Sequence, residues 1–284
     1  MISTLREQAA RVFPSFRQII LHDSQLSNSV WESDLRTGKA LEIVSLLAII
    51  SELNSQLGCT YIDDRFLSNP DLFYLRNEIP LHHGAQAGHE GLFQFETSIE
   101  DRFLAAFLPK ANFKSDDRYW MIFREGNPLH LLFSLIQGAG VYKDRCDMVL
   151  VRGLIRDFEI SNGLISFTHD DMGAAAKYQI SIKNSPIVPL KDYIISEDYS
   201  VKTSGVVECS VSKTKAQVDE QLARYRELYK NFNSRPECLF VHGGTMLSSF
   251  STLIVDLTDL IMSFSTVDNR LLLKRFLDDC LKEN

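Results

Sequence analysis

The hydrophobic pattern changes period twice between residues 205 and 244. Residues 207–212 alternate as in a strand. One side of this strand is apolar, with Val207, Cys209 and Val211, and the other is polar, with Glu208, Ser210 and Ser212. Residues 215–230 place apolar side chains at helical spacing, and residues 238–242 form a short apolar run. The pattern predicts a strand, a helix and a buried strand, with Glu208 near the end of the first strand.

Two helices have clear boundary signals. Thr214 followed by Gln217 forms a capping box, so one helix should begin at about Lys215. The other is the strongest apolar helical stretch of the chain, which Thr37 can cap and Gly58 can close. Asn162-Gly163 between alternating runs predicts a β-hairpin.

These elements predict an α/β fold with a central mixed β-sheet flanked by helices. Residues 1–88 should form an N-terminal, mainly helical region. Residues 89–245 should form the α/β core, and residues 246–284 should be C-terminal helices that pack on the core.

Asp147 stands at the mouth of a second apolar run, in the sequence RCDMVLVRG. Aspartate is depleted in strands, so its presence at the start of one requires an explanation. It could begin a turn or satisfy a local hydrogen bond. If it meets Glu208 instead, the two carboxylates could hold Mg²⁺ or Mn²⁺, which prefer oxygen ligands and leave positions open for a phosphate.

The stretch from about residue 90 to 245 resembles the restriction-endonuclease-like, PD-(D/E)xK nucleases. Three short motifs support the resemblance: RCD at 145–147, ECS at 208–210 and QLARY at 221–225. The family has an αβββαβ core, so the resemblance implies that fold here. The spacing between Asp147 and Glu208 is long for that family, so the resemblance also implies an insertion near residues 154–204.

The resemblance also implies roles for individual residues. Asp147 and Glu208 would bind the metal, and Gln221 and Tyr225 would belong to the motif of the following helix. Ser210 stands where the family has its catalytic lysine, so Lys213 or Lys215 would reach back to the site. Ser210 or the backbone after Glu208 could add an oxygen ligand. The acid that the family often carries on its first helix would be Glu42, Glu96 or Glu100, although Glu42 in a first helical turn is also favourable for the helix dipole alone.

Composition narrows the possible partners and location. A net charge of −7 argues against a protein that coats nucleic acid over its whole surface. Residues 202–235 nevertheless contain seven Lys or Arg against four Asp or Glu, which leaves room for a local basic groove. Five cysteines without a CxxC pair indicate a reducing, cytoplasmic setting. No uninterrupted apolar run approaches the roughly 20 residues of a membrane span, so no membrane role is expected.

We therefore expect a Mg²⁺- or Mn²⁺-dependent endonuclease that cuts DNA. The resemblance implies an effector of a bacterial defence or restriction-type system, with a partner protein or a homo-oligomer supplying targeting. The alternative is a catalytically inactive nuclease-fold subunit for nucleic-acid binding or complex assembly. A third possibility is an α/β protein in which Asp147 and Glu208 never meet. The chain has no P-loop, GxSxG or zinc-deaminase motif that would indicate a different enzyme.

Overall fold

The protein was analysed as a computed structural model. The structure describes residues 5–33, 38–77, 104–130, 132, 146–181, 188–189, 194–197, 199–230, 234–244 and 250–282. The N-terminal helices are α1 (Leu5–Val12), α2 (Arg17–Ile20), α3 (Gln25–Trp31), α4 (Lys39–Leu57), α5 (Asp64–Ser68) and α6 (Asp71–Tyr74). The C-terminal half contains α7 (Lys215–Lys230), α8 (Leu260–Ser263) and α9 (Val267–Leu281).

A mixed seven-stranded sheet organises the fold, in the order β1-β2-β3-β4-β10-β11-β12. Its strands are β1 (Thr60–Tyr61), β2 (Ala111–Ser115), β3 (Arg118–Arg124), β4 (Met148–Arg152), β10 (Thr203–Ser210), β11 (Glu237–Gly243) and β12 (Ser251–Val255). Strands β1 to β4 and β10 pair antiparallel, whereas β10, β11 and β12 pair parallel. The α/β class with a central mixed sheet is confirmed.

The two faces of this sheet bury different elements. Val207 and Cys209 face a core that contains α4 and α9. Val206 faces a second core with Leu222 and Tyr225 of α7. The alternation predicted along β10 is therefore confirmed, and Glu208 points to the side of α7, where it contacts Tyr225.

The residues between β4 and β10 build a second, antiparallel sheet, in the region predicted as an insertion. Its strands are β5 (Leu154–Ser161), β6 (Leu164–Asp171), β7 (Ala174–Ser181), β8 (Val188–Pro189) and β9 (Ile194–Ile195). The predicted hairpin joins β5 to β6 through Asn162 and Gly163, both at positive φ (52° and 73°). Gly153 links the two sheets at a φ of 97°, where an added Cβ would lie 2.3 Å from His169 Nε2.

Helix α4 lies at the centre of the first core. Gly58 ends it in a left-handed conformation, as predicted. The N-cap is Gly38, and Thr37, the predicted cap, lies outside the described residues. Among the described helices, α4 is long and apolar enough to cross a membrane, but 61% of its most apolar window is buried against the rest of the protein. This burial is typical of the core helix of a soluble protein.

The C-terminal region differs from the prediction of helices alone. Residues 251–255 form β12, which pairs parallel with β11 and extends the main sheet. The segment STLIV is rich in β-branched residues and buries Leu253 and Val255 on alternate positions. An edge position on an existing sheet thus outweighs the apolar spacing that suggested a helix.

Candidate functional site

Three acidic residues lie side by side at one end of the main sheet. Arg124 at the end of β3 pairs with Met148 at the start of β4, and Met148 also pairs with Val207 of β10. The next residues beyond these pairs are Glu125, Asp147 and Glu208. The backbone N–H of Glu125 donates to the Asp147 carbonyl at 2.8 Å, which continues the register past β3. Like charges on adjacent strands are unfavourable unless something compensates for them.

Glu42 joins this row from the first turn of α4. Carboxylate oxygens of Glu42, Glu125 and Asp147 all lie within 4.8 Å of one another. Arg124 Nη2 donates to Glu42 Oε2 at 2.7 Å, and both side chains are almost completely buried. Arg124 Nη1 donates to the Tyr74 carbonyl at 2.5 Å, so the guanidinium is fixed on both sides.

Glu125 has an unusual backbone conformation. Its φ is 66°, in the left-handed region that non-glycine residues rarely adopt. Its carboxylate forms an ion pair with Arg76, whose Nε lies 2.9 Å from Glu125 Oε1. Sequence analysis missed Glu125 and Arg124. The available signal was a charged Arg-Glu pair followed by glycine at the end of an apolar strand.

Asp147 lies between the other acids. Its Oδ2 accepts the backbone N–H of Cys209 at 2.6 Å, which ties it to β10 directly after Glu208. Burial raises the pKa of Asp147 well above its usual value, and the charges of Glu208, Glu42 and Glu125 add to that rise. Among the described residues, no basic side chain pairs with Asp147.

Glu208 belongs to a closed ring of hydrogen bonds with α7. Its Oε1 accepts from Lys213 Nζ, and its Oε2 accepts from the Tyr225 hydroxyl at 3.1 Å. Lys213 Nζ also donates to Gln221 Oε1 at 2.5 Å, and Gln221 Nε2 donates to the Tyr225 hydroxyl at 2.6 Å. Burial raises the pKa of Glu208, and Lys213 opposes that rise.

The two candidate lysines, Lys213 and Lys215, occupy different environments in the structure. Lys213 reaches Glu208, whereas Lys215 is exposed and pairs with Asp219 at 2.8 Å. The expectation that Lys215 could serve the site is therefore wrong in this structure. Lys215 lies in the first turn of α7, and its side chain meets Asp219 one turn later.

The remaining predicted residues also have definite positions. Gln221 and Tyr225 contact the site directly. Ser210 is buried, and its Oγ accepts the backbone N–H groups of Ser212 and Lys213 at 3.2 and 3.1 Å. Of the candidate first-helix acids, Glu42 lies at the site, while Glu96 and Glu100 lie outside the described residues.

The donor set suits a hard divalent cation. All candidate ligand atoms in the cluster are carboxylate oxygens, which Mg²⁺ and Mn²⁺ prefer, and within the described part of the chain no thiol or imidazole belongs to it. Burial and its acidic neighbours raise the pKa of Asp147, which pairs with no basic side chain among the described residues. A cation there would supply a compensating positive charge.

The amino-acid sequence and the fold were compared with known proteins. Searches against protein-family models, curated proteins and solved structures found no match.

Proposed function

We propose that the protein is a metal-dependent endonuclease that hydrolyses DNA phosphodiester bonds. The main supporting observation is the convergence of Glu42, Glu125 and Asp147 beside the Glu208–Lys213 pair. A site of this kind combines hard oxygen ligands with a fixed ammonium group. Both are needed to handle a phosphodiester, which carries negative charge.

The order of elements supports the same proposal. Helix α4 is followed, after β1, α5, α6 and β2, by β3, β4 and β10 in an antiparallel series, and then by α7 and the parallel strand β11. These elements would correspond to the αβββαβ arrangement of the restriction-endonuclease-like nucleases if the second sheet and the elements between α4 and β3 are additions to it. The carboxylates of Asp147 and Glu208 also lie at the strand ends where that family has its metal ligands.

In this proposal some residues of the site bind the metal and others act on the substrate. Asp147, Glu42 and Glu208 would hold Mg²⁺ or Mn²⁺, with Glu125 as an additional carboxylate. The bound metal supplies Lewis acidity and a water of lowered pKa. The side-chain nitrogen of Lys213 contacts Glu208, where it would orient the attacking water or offset charge on the phosphate. Gln221 and Tyr225 hold Lys213 and Glu208 in place, and burial raises the pKa of Tyr225 so that it remains a donor.

The wider context follows from the resemblance and the charge distribution. We place the protein in the cytoplasm as an effector of a bacterial defence or restriction-type system. A partner protein or a second copy of the chain would supply targeting, because the net charge of −7 gives little general attraction to DNA.

Cleavage of supercoiled plasmid and linear DNA tests this function directly. Incubations contain Mg²⁺, Mn²⁺ or EDTA, and use the wild type, Asp147→Ala and Glu208→Ala. Asp219→Ala is a matched control, since it removes an acid of α7 that pairs with Lys215 outside the cluster. We expect metal-dependent cleavage that only the two site variants lose. Cleavage that survives in Asp147→Ala, or wild-type protein that neither cleaves nor binds Mn²⁺ in calorimetry, rules out the proposal.

One observation favours a catalytically inactive scaffold as the second candidate. Arg124, Arg76 and Lys213 already neutralise Glu42, Glu125 and Glu208 without a metal. A nuclease-fold subunit that binds nucleic acid or assembles a complex would need no more than this. Such a subunit would bind DNA in EDTA as well as in Mg²⁺, and would show no heat of Mn²⁺ binding that depends on Asp147.

A further inference from the structure

Ser210 occupies the position at which the E-x-K motif places its lysine. Its hydroxyl oxygen accepts two backbone N–H groups, from Ser212 at 3.2 Å and from Lys213 at 3.1 Å. A hydroxyl oxygen has two acceptor lone pairs, and both are used here. Ser210 is also buried at the end of β10, where unpaired N–H groups would be costly.

These two hydrogen bonds turn the chain back at the end of β10. An extended chain would carry the backbone of Lys213 about 16 Å beyond Glu208, at roughly 3.3 Å per residue. Instead, Lys213 Nζ contacts Glu208 Oε1 and Gln221 Oε1. Lys215, only two residues further on, does not return and pairs with Asp219.

We propose that Ser210 is a positioning residue that compensates for the missing lysine of the motif. Its oxygen caps the turn from Ser210 to Lys213 and thereby directs the Lys213 ammonium onto Glu208. It is not a metal ligand, because its lone pairs are already used within the turn. The importance of this geometry for cleavage rests on the proposed nuclease function, but the geometry itself does not.

The first experiment measures lysine reactivity and needs no enzymatic activity. The folded protein is treated with a limiting amine-acetylating reagent, and acetylation of each lysine is followed by mass spectrometry. Lys215 is an internal reference, since its side chain is 58% exposed against 31% for Lys213. We expect Lys213 to react several-fold more slowly than Lys215 in the wild type, and to approach the rate of Lys215 in Ser210→Ala.

Two further variants separate the cap from a general effect on the turn. Ser212→Ala removes an exposed hydroxyl from the same turn but keeps the backbone N–H that Ser210 binds. Ser210→Thr keeps the capping oxygen. Both should leave Lys213 as slow as in the wild type. Unchanged Lys213 reactivity in Ser210→Ala overturns the proposal, provided that its thermal unfolding shows a folded protein.

Metal binding and cleavage then distinguish the possible roles of the hydroxyl. Calorimetry with Mn²⁺ should show no loss of affinity in Ser210→Ala, because releasing Lys213 leaves the Glu208 carboxylate available to the metal, whereas a lost ligand would weaken binding and overturn the proposal. Plasmid cleavage by Ser210→Ala should show a kcat lowered roughly tenfold with an unchanged KM, from the loss of two hydrogen bonds. If the wild type cleaves nothing, the nuclease function fails, while the acetylation result still decides the role of Ser210.

Discussion

The buried ion pair between Arg124 and Glu42 allows a quantitative test of the site. Arg124→Met leaves the Glu42 carboxylate and the Tyr74 carbonyl without the guanidinium that they bind at 2.7 and 2.5 Å. Only 4% of the Arg124 side chain and 11% of the Glu42 side chain are exposed, so water cannot replace it well. Removing one partner of such a pair costs about 3–5 kcal/mol. For a chain of this length, the melting temperature should fall by roughly 10 °C.

A double-mutant cycle separates the pair from the surrounding packing. Arg124→Met, Glu42→Gln and the combined variant are unfolded with urea at neutral pH without metal. In the double variant neither member of the pair is left charged without the other, so its loss of stability should be smaller than the sum of the two single losses. We expect a coupling energy of about 2–3 kcal/mol.

A second ion pair on the same helix provides the control. Glu52 of α4 pairs with Arg270 at 3.8 Å, and 59% of the Arg270 side chain is exposed. The same cycle there should give a coupling of about 0.5 kcal/mol or less. If the Arg124–Glu42 coupling is equally small, Arg124 does not hold Glu42 in place, and the account of how the site is built is wrong.

Three other changes test separate parts of the structure. Asp147→Asn should stabilise the metal-free protein at pH 7–8 in thermal unfolding. The native state keeps this proton to a higher pH than the unfolded chain, so the contribution of Asp147 to wild-type stability falls as pH rises above roughly 4. A stability difference between Asp147→Asn and the wild type that does not change at lower pH would contradict this. Lys213→Met should lower plasmid cleavage by about a hundredfold or more, whereas Lys215→Met, the matched control, should cleave like the wild type. Gly205→Ala should cost about 1–3 kcal/mol in urea unfolding, because its Cβ would lie 2.6 Å from Cys280 Sγ, and Cys280→Ala should recover much of that loss.

The parts of the fold that depend on local pattern could be predicted from the sequence. The alternation along β10 and the capping box of α7 each involve residues within a few positions of one another. Thr214 and Gln217 indeed exchange hydrogen bonds across the first turn, with the Thr214 N–H donating to Gln217 Oε1 at 2.9 Å. The turn at Asn162 and Gly163 follows from their tolerance of positive φ.

The missed parts depend on contacts that are distant along the chain. Glu125 reaches Asp147 through strand register, and Arg124 reaches Glu42 across 82 positions. Neither contact can be deduced from the spacing of residues in one sequence. The choice between Lys213 and Lys215 depends on two backbone hydrogen bonds to Ser210, which a motif comparison does not reveal.

The balance of charge explains why this cluster is a better metal candidate than an ordinary acidic surface. Arg124, Arg76 and Lys213 each satisfy one carboxylate, so three of the four acids are stable without a metal. The fourth, Asp147, lies at the centre and has its pKa raised by burial and by its acidic neighbours. A protein selected only for stability gains nothing from an aspartate there, because an asparagine would keep the hydrogen bond from Cys209 without the charge. A divalent cation would offset the unfavourable burial of the Asp147 charge. It would replace the proton of Asp147 and be attracted by the same acidic neighbours that destabilise the free carboxylate.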